Sequence, residues 1–353
     1  RFRNYDLRIK KSVEQITTMK VLVTGHNGYI GPHLVKLLHD AGHTVTGVDL
    51  NLFEDCAWDT LPKPDIELIK DFRNLSFEEL SGHDCVMHLA AISNDPMGDL
   101  IEDLTYANNR AGSINLARKA KEAGVKRFLF SGSCSVYGKG ETLDLNESAN
   151  LHPITAYAHS KIDTEIEVSK MADDNFSPAF LRNSTAYGYS PNLRIDLVVN
   201  NLLGCALANG NIQIKSDGSP WRPLVHCKDI ARAFVAFAEA PKESIHNMAI
   251  NIGGNKENYQ VRQVADYVQT LLPDANIVYT GEVGEDPRNY RVNFDLLGKQ
   301  LPDFKLEYTL EKGMQELYAN YQEHNFSKED FDGNQFVRLR TLKDRLNRFE
   351  EVK

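Results

Sequence analysis

The stretch that decides the fold is Val21 to Asp49, which reads VLVTGHNGYIGPHLVKLLHDAGHTVTGVD. It begins with a β-branched apolar run and continues through Gly25, Gly28 and Gly31, spaced G-x-x-G-x-x-G. Apolar residues at helical spacing follow, and a second apolar run then ends at Asp49. Strand, glycine turn, helix and strand in this order predict the β-α-β unit that opens a parallel sheet.

The same unit has the chemistry of a dinucleotide site. Glycines let the backbone approach a diphosphate closely, and the following helix presents free N–H groups and the positive end of its dipole. Asp49 stands where an acidic side chain accepts hydrogen bonds from an adenosine ribose, and its charge would repel a 2′-phosphate. The unit therefore predicts NAD rather than NADP. The alternative is a plain β-α-β turn whose glycines are structural.

Length and composition restrict the class of protein. The 353 residues allow one large or two moderate domains, and the formal net charge of −9 argues against a nucleic-acid partner. No apolar run reaches membrane-spanning length and no signal peptide is visible, so we expect no membrane partner and a cytoplasmic location. The five cysteines lack metal-ligand spacing, so we expect reduced thiols and no metal site.

Strands and helices alternate along the first half of the chain. Apolar runs predict strands at 66–69, 85–89, 127–131 and 179–181, and helical periodicity predicts helices at 103–123 and 155–172. This rhythm predicts an α/β fold with a doubly wound parallel sheet, the Rossmann fold, over residues 19–182. Residues 183–325 are expected to form mainly a smaller C-terminal substrate-binding lobe, with about 225–255 returning to the Rossmann domain.

The two terminal segments differ in composition from the rest. Residues 1–18 carry five basic residues before Met19-Lys20, which resembles a natural start, so we expect an extension that is mobile or packs on the surface. Residues 326–353 are charged and amphipathic. For this C-terminal tail the favoured interpretation is a solvated terminal helix.

Tyr157 and Lys161 stand four residues apart in A-Y-A-H-S-K, which places both side chains on one face of the predicted helix. A free tyrosine has a pKa of about 10, too high for a base at neutral pH. A lysine ammonium beside it would stabilise the phenolate and lower that pKa. The alternative is a surface tyrosine and lysine on an amphipathic helix, because this spacing alone is common.

A serine-rich turn, Ser131 to Gly138, follows the fifth predicted strand. In a parallel sheet the C-terminal end of such a strand lies at the cofactor crevice. A hydroxyl there could share the proton that a sugar hydroxyl gives to Tyr157. The alternative is a turn that is rich in serine by composition only.

Taken together, these motifs resemble a known family. They are T-G-x-x-G-x-x-G with Asp49, H-L-A-A at 88–91, Asn108-Asn109 before a glycine, S-x-S-V-Y-G from Ser133, and Y-x-x-x-K. The chain resembles the extended short-chain dehydrogenase/reductases, and among them most the nucleotide-sugar epimerase/dehydratase branch. The resemblance covers Met19 to about Tyr321.

The resemblance implies an enzyme with a tightly held NAD. Tyr157 would be the base, Lys161 would tune its pKa and bind the nicotinamide ribose, and Ser133 would contact the substrate hydroxyl. Asn108 would support a proton relay through Lys161. The implied cofactor-binding residues are Gly25, Asn27, Gly28, Tyr29, Ile30, Gly31, Asp49, Asp71, Phe72, Leu89, Ala90, Ala91, Asn108, Ser131, Tyr157 and Lys161. The implied substrate-binding residues are Ser93, Asn94, Ser133, Thr185, Asn200, Arg222 and Arg288.

Departures from the family pattern carry information about the reaction. Relatives that dehydrate or decarboxylate usually have acidic residues at the positions of Cys134 or Ser135, so both reactions are disfavoured here. Thr185 replaces an Asn that usually touches the substrate diphosphate. Two guanidinium groups, Arg222 and Arg288, suit a diphosphate chemically, whereas ordinary surface ion pairing is the alternative.

The leading hypothesis is an NAD-dependent nucleotide-sugar epimerase that oxidises C4 to a transient keto sugar and reduces it again. The close alternative is an NAD(H)-dependent ketoreductase or dehydrogenase of a nucleotide-linked or free sugar. A dehydratase and a catalytically silent NAD sensor rank lower. The expected partners are a nucleotide-diphosphate sugar and a second copy of the chain, because the family usually forms two-fold dimers.

Overall fold

The fold is taken from a computed structural model, which describes residues 18–93, 101–138, 144–281 and 288–351, with side chains as far as residue 345. Seven parallel strands form the main sheet in the order β10-β6-β5-β4-β1-β2-β3. They are β1 (Lys20–Thr24), β2 (Thr44–Asp49), β3 (Ile66–Ile69), β4 (Cys85–His88), β5 (Arg127–Ser133), β6 (Ser177–Asn183) and β10 (Met248–Ile252). The doubly wound parallel sheet predicted from the sequence is confirmed.

Two smaller sheets belong to the later part of the chain. One has the order β11-β9-β7 and the other pairs β12 with β8 in parallel. Their strands are β7 (Thr185–Tyr187), β8 (Asn211–Ile214), β9 (Trp221–His226), β11 (Asn258–Gln260) and β12 (Asn276–Tyr279). Between β9 and β11 the chain returns to the main sheet, where β10 pairs in parallel with β6.

The helices of the first half are α1 (Gly31–Asp40), α2 (Phe77–Leu80), α3 (Glu102–Thr105), α4 (Ser113–Glu122) and α5 (Ala156–Ser169). Those of the second half are α6 (Val198–Asn209), α7 (Cys227–Glu239), α8 (Lys242–Ile245), α9 (Val261–Leu271), α10 (Asp295–Gln300), α11 (Leu310–Glu323), α12 (Lys328–Asp332) and α13 (Arg338–Glu351). Short 3₁₀ turns follow β2, β3 and β5 at Glu54–Cys56, Phe72–Asn74 and Cys134–Tyr137.

Apolar residues cover both faces of the main sheet, as a parallel sheet requires. Val21, Leu22 and Val23 of β1 are fully buried. Val21 and Val23 pack with residues of α1 and α7, whereas Leu22 packs on the other face with residues of α4 and of β5. The strand order reverses between β1 and β4, which is where such sheets bind their ligands.

The helix predicted over 103–123 has an irregular middle. A π-helical turn, Tyr106–Gly112, separates α3 from α4. A Cβ on Gly112 would lie 2.9 Å from the Arg73 side chain, so the turn packs closely against the segment after β3. Wide turns of this kind interrupt the regular spacing of side chains and are frequent at functional sites.

The C-terminal tail departs from the expected solvated helix. Phe336 is fully buried in the apolar cluster of the second lobe, and Arg338 and Thr341 are also buried. The backbone carbonyl of Phe336 accepts a 3.0 Å hydrogen bond from the amide of Ile195. The expectation was wrong for this part of the tail, because a few apolar and basic side chains anchor it to the body of the protein.

Candidate active site

The glycine turn after β1 is shaped by close backbone contacts. Gly25 has φ = +78°, a conformation that other residues rarely adopt. A Cβ at Gly25 would lie 2.8 Å from the Ala90 nitrogen, and a Cβ at Gly31 would lie 2.3 Å from the His26 carbonyl oxygen. Both positions therefore require glycine. The turn leads directly into α1, so helix N–H groups and bare backbone form a cradle that fits a dinucleotide diphosphate.

Asp49 ends β2 beside this turn. Its two carboxylate oxygens accept hydrogen bonds from the backbone amides of Asn27 (3.1 Å) and Asn51 (3.0 Å). The side chain of Asn27 donates to the Asn51 side chain at 2.8 Å. Asp49 is therefore fixed against the glycine turn, in the position that a ribose-binding carboxylate needs.

Tyr29 has a role that the sequence did not reveal. Its hydroxyl donates to the carbonyl oxygen of Gly188 and accepts from the Asn200 side chain at 3.1 Å. The bond to Gly188 joins the glycine turn to the segment that follows β7, and the Tyr29 ring is buried between them. Ile30, the next residue, lies at the start of α1 as its N-cap.

Asp71 and Phe72 were expected to border the adenine. The Phe72 ring is buried against His88, with ring centres 4.7 Å apart, so it belongs to the core. Burial raises the pKa of the Asp71 carboxyl, but hydrogen bonds from Arg73 outweigh burial and lower that pKa overall. Contact with adenine stays a prediction for Asp71 and for the backbone of Phe72.

The loop after β4 is held by two neighbours. The amides of Leu89 and Ala90 donate to the Thr24 carbonyl (3.1 Å) and to its hydroxyl (3.2 Å). The Asn109 side chain bonds both the amide and the carbonyl of Ile92, at 2.8 and 2.9 Å. Leu89 to Ala91 thus runs beside the glycine turn.

Asn109, to which the sequence analysis assigned no role, lies beside the candidate site. It is buried, whereas Asn108 is half-buried and donates to the Asn109 side chain at 3.0 Å. The Asn109 carbonyl accepts from the Thr164 hydroxyl on α5 at 3.0 Å. Asn109 therefore links the loop after β4 to the helix that carries Tyr157. The relay role of Asn108 stays a prediction.

Tyr157 and Lys161 lie on α5, which begins after Thr155; the hydroxyl of Thr155 caps the helix by accepting from the Ala158 amide at 3.2 Å. Lys161 is buried and its Nζ donates a 2.7 Å hydrogen bond to the Ser131 carbonyl. The same nitrogen lies 4.6 Å from the Phe130 ring centre. Burial lowers the pKa of Lys161 to about 7.

Ser131 and Ser133 lie two residues apart at the end of β5, so their side chains point to the same side of the sheet. The Ser133 hydroxyl accepts from the Ser135 amide at 3.1 Å, and the Ser131 hydroxyl accepts from the Asn183 side chain at 3.1 Å. Ser133 was expected just beyond the strand and is its last residue. The strand end thus brings the Ser131 carbonyl to Lys161, two residues before Ser133.

Cys134 follows Ser133 but faces the interior. Its thiol is buried and donates to the Arg182 carbonyl, with sulfur and oxygen 3.1 Å apart. Burial raises the pKa of the thiol to about 12, so the reactive thiolate is suppressed. The five cysteines of the chain are all buried free thiols.

The residues expected to bind the substrate phosphates divide into two groups. Arg222 on β9 donates through Nη1 to the Arg288 carbonyl at 2.5 Å, so its side chain reaches the backbone of Arg288. Asn200 is fully buried, with its side chain bonded to the Gly188 amide at 2.9 Å and the Arg194 carbonyl at 2.8 Å. The structure places the Asn200 amide within the protein, and its phosphate contact stays a prediction.

Ser93 and Thr185 remain accessible. Ser93 is exposed and its hydroxyl accepts from the Arg194 guanidinium at 3.1 Å. Thr185 is half-buried at the start of β7, opposite Leu224 of β9. Asn94 lies outside the described residues.

None of the helices in the described ranges is both long enough and apolar enough to span a bilayer.

The fold and site define a class: a dinucleotide-binding α/β enzyme whose tyrosine and lysine lie on one helix beside a serine-bearing strand end. Residues 21–253 match the NAD dependent epimerase/dehydratase family, and the chain belongs to that family. It is thus an NAD-dependent enzyme of the extended short-chain dehydrogenase/reductase type. The shape of the glycine turn and the fixed Asp49 fit that cofactor.

Among curated relatives, a UDP-glucose 4-epimerase of Bacillus subtilis (strain 168) is 28% identical over 67% of this chain and 77% of its own length. A UDP-glucuronic acid decarboxylase 1 of Danio rerio is 25% identical over 93% of this chain and 79% of its own length. A solved structure, described as that of the NAD dependent NDP-hexosamine 5,6-dehydratase TunA of tunicamycin biosynthesis, superposes with a TM-score of 0.77. That match has 24% identity and covers 87% of this chain and 98% of TunA, so it supports the fold alone.

Proposed function

We propose that this protein is a nucleotide-sugar epimerase that inverts the sugar at C4. The observation that carries the proposal is the placement of Lys161. Its ammonium is anchored to the Ser131 carbonyl at the end of β5, and it lies 5.6 Å from the Tyr157 ring centre. In its protonated form this lysine favours the phenolate, which can then accept the proton of a sugar hydroxyl.

Each residue of this centre has a separate task. Tyr157 accepts the hydroxyl proton during oxidation and returns it during reduction. Ser133 orients the same hydroxyl, and Lys161 stabilises the charge on Tyr157. NAD, when bound, would accept a hydride from the sugar carbon reversibly. Binding energy from the distant nucleotide part of the substrate keeps the keto sugar in place while it turns over.

The proposed substrate is a uridine diphosphate sugar. The relatives' names, which refer to UDP-glucose and UDP-glucuronic acid, support the nucleotide. Arg222 and Arg288 support the diphosphate, because guanidinium groups bind phosphate oxygens with two parallel hydrogen bonds and the Arg222 side chain reaches the backbone of Arg288. A screen of sugar nucleotides by thermal stabilisation tests this. A ligand present at about 100 times its Kd adds roughly 2.7 kcal/mol of stability, and stabilisation by UDP-sugars no greater than by UMP would contradict the proposal.

A one-way reductase is the second candidate, because the same Tyr157, Lys161 and Ser133 would serve it. Elimination and decarboxylation, the chemistry of TunA and of the zebrafish relative, are less favoured. Cys134 and Ser135 are both buried and neither is acidic, so they offer no carboxylate for these steps. Product analysis by NMR separates the candidates, because an epimerase gives an isomer of unchanged mass.

We also propose a homodimer. Isologous pairing is the commonest closed assembly, and the outer face that includes α3 and α5 exposes Leu104 (40%) and Ile166 (49%). Light scattering at micromolar concentration should give twice the chain mass, and a monomer would refute the proposal.

A further inference from the structure

Arg194 is a buried cation to which the sequence analysis gave no role. It lies between β7 and α6 and is 6% exposed. Its Nε and Nη2 donate to the Asp196 carboxylate at 3.0 and 2.6 Å, and its Nη1 donates to the Ser93 hydroxyl at 3.1 Å. This two-point bond to Asp196 fixes the plane of the guanidinium group, as in other arginine–carboxylate pairs.

The backbone of Arg194 adjoins the glycine turn. The Asn200 Nδ2 atom donates to the Arg194 carbonyl at 2.8 Å and to the Tyr29 hydroxyl at 3.1 Å. Arg194 is therefore one side chain removed from the residue that follows Gly28. The backbone of Arg194 is thus linked to the glycine turn through Asn200.

The guanidinium of Arg194 adjoins the opposite side of the same cleft. Ser93 directly follows Ile92, which the Asn109 side chain holds at 2.8 Å. Asn109 in turn accepts from Thr164 of α5. Arg194 thus lies between the glycine turn and the elements that carry the catalytic tyrosine. Burial lowers the pKa of Arg194, but Asp196, and after it Tyr29 and Tyr157, raise that pKa overall.

A second buried arginine adds positive charge nearby. Arg338 of the C-terminal tail donates to the Asn192 carbonyl at 3.2 Å, and Asn192 donates to the Asn27 carbonyl of the glycine turn at 2.6 Å. Within the described ranges, the Arg338 Nη1 atom is buried without a hydrogen-bond partner, and no carboxylate forms an ion pair with Arg338. Burial, and then the charge of Arg194, lowers the pKa of Arg338 to about 10.

Arg194 is paired with the Asp196 carboxylate, whereas Arg338 forms no ion pair with a carboxylate in the part of the chain that the structure describes. Uncompensated buried charge is costly, so such a site favours an anionic ligand. A dinucleotide diphosphate carries two negative charges and belongs at this turn.

We propose that Arg194 is a further NAD-binding residue whose guanidinium meets the diphosphate of the cofactor, with Arg338 adding a second positive charge behind it. The proposal concerns the NAD site and does not depend on which sugar reaction follows. The other source of a diphosphate is the sugar nucleotide. The link from Arg194 through Asn200 to Tyr29 favours the cofactor, and the ADP and UDP arms of the test distinguish the two sources.

Isothermal titration of the full chain, freed of bound nucleotide, tests the proposal with ADP, adenosine and UDP. In Arg194→Met the affinity for ADP should fall by about tenfold or more, the usual scale for a lost charge-assisted hydrogen bond. The affinities for adenosine and UDP should stay within about twofold, because neither ligand presents the cofactor diphosphate to this residue. Equal losses for ADP and adenosine, or a loss confined to UDP, would overturn the assignment.

Two further variants cover the case in which Arg194→Met does not fold. Ser93 is exposed, so Ser93→Asp places a negative charge beside the Arg194 guanidinium without burying that charge. The affinity for ADP should fall several-fold, and the affinity for adenosine should not change. Arg232→Met is the matched control, because Arg232 also bonds an aspartate, Asp229 at 2.6 Å, but on α7. It should leave all three affinities unchanged. Unchanged ADP binding in Ser93→Asp would contradict the proposal.

Discussion

The ammonium of Lys161 lies 5.6 Å from the centre of the Tyr157 ring, one helical turn away on the same face of α5. It reaches this position because its Nζ is bonded to the Ser131 carbonyl and its stem is buried. The helix supplies the spacing and the strand end supplies the anchor. The proposed chemistry depends on this pair, since the lysine charge determines how readily the tyrosine gives up its proton.

Tyr157→Phe removes only the phenolic oxygen, so the fold and NAD binding should persist. Turnover should fall by at least ~10²-fold, the usual scale for a positioned acid or base. Ser133→Ala should cost less, because it removes one hydrogen bond to the substrate and leaves the base. Steady-state kinetics on both variants checks the order. A larger loss in Ser133→Ala than in Tyr157→Phe would contradict the roles given to them.

Lys161→Met should change the pH dependence of activity. Without the ammonium the tyrosine pKa rises, so the acidic limb of the activity–pH profile should move to higher pH. NAD binding should also weaken, if the lysine contacts the nicotinamide ribose as the family resemblance implies. Profiles of kcat/KM for the two proteins decide this. A limb that does not move would show that Lys161 has no influence on the base.

Lys161 should also make stability depend on pH. Its pKa is lowered to about 7 in the folded protein, below the value of about 10.4 for an unfolded chain. Between these values the unfolded state binds the extra proton, so stability should rise with pH by at most about 1.4 kcal/mol per unit. Urea unfolding of the nucleotide-free protein at pH 7.5 and 9.5 measures this rise. In Lys161→Met this contribution should vanish, and an equal rise in both proteins would assign it to other groups.

Asp49 should select NAD over NADP. Its carboxylate is bonded to the amides of Asn27 and Asn51, so it is held where a 2′-phosphate would meet its charge. Asp49→Ala should therefore weaken the binding of NAD and reduce the difference in affinity between NAD and NADP. Binding of both cofactors by fluorescence titration is the measurement. NADP bound as tightly as NAD by the wild-type protein would exclude this role.

The sequence predicted what depends on local spacing. Gly25 and Gly31 could be identified as required because the strand, the helix and Asp49 appear around them in a fixed order. Tyr157 and Lys161 could be paired because residues four apart share a helix face. These inferences needed no knowledge of contacts between distant segments.

The sequence could not reveal contacts that only the tertiary fold creates. The contacts of Asn109 with Ile92 and Thr164 lie on a π-helical turn, whose wider spacing of side chains the sequence does not show. Arg194 and Arg338 are 144 residues apart, and their buried charges meet only after the tail packs against the body. Tyr29 was predicted as a cofactor-binding residue, and its hydroxyl bond to Gly188, which joins segments far apart in the chain, was not foreseen.

The most direct test of the epimerase proposal follows a deuterium atom at C4 of a UDP-sugar through the reaction, with no cofactor added. The proposal predicts that the protein, purified with its NAD, forms the C4 epimer with the deuterium retained at C4 and with no net NADH. It also predicts that Tyr157→Phe abolishes this conversion while keeping its NAD. Accumulation of NADH in proportion to product, or loss of the deuterium to solvent, would contradict the account.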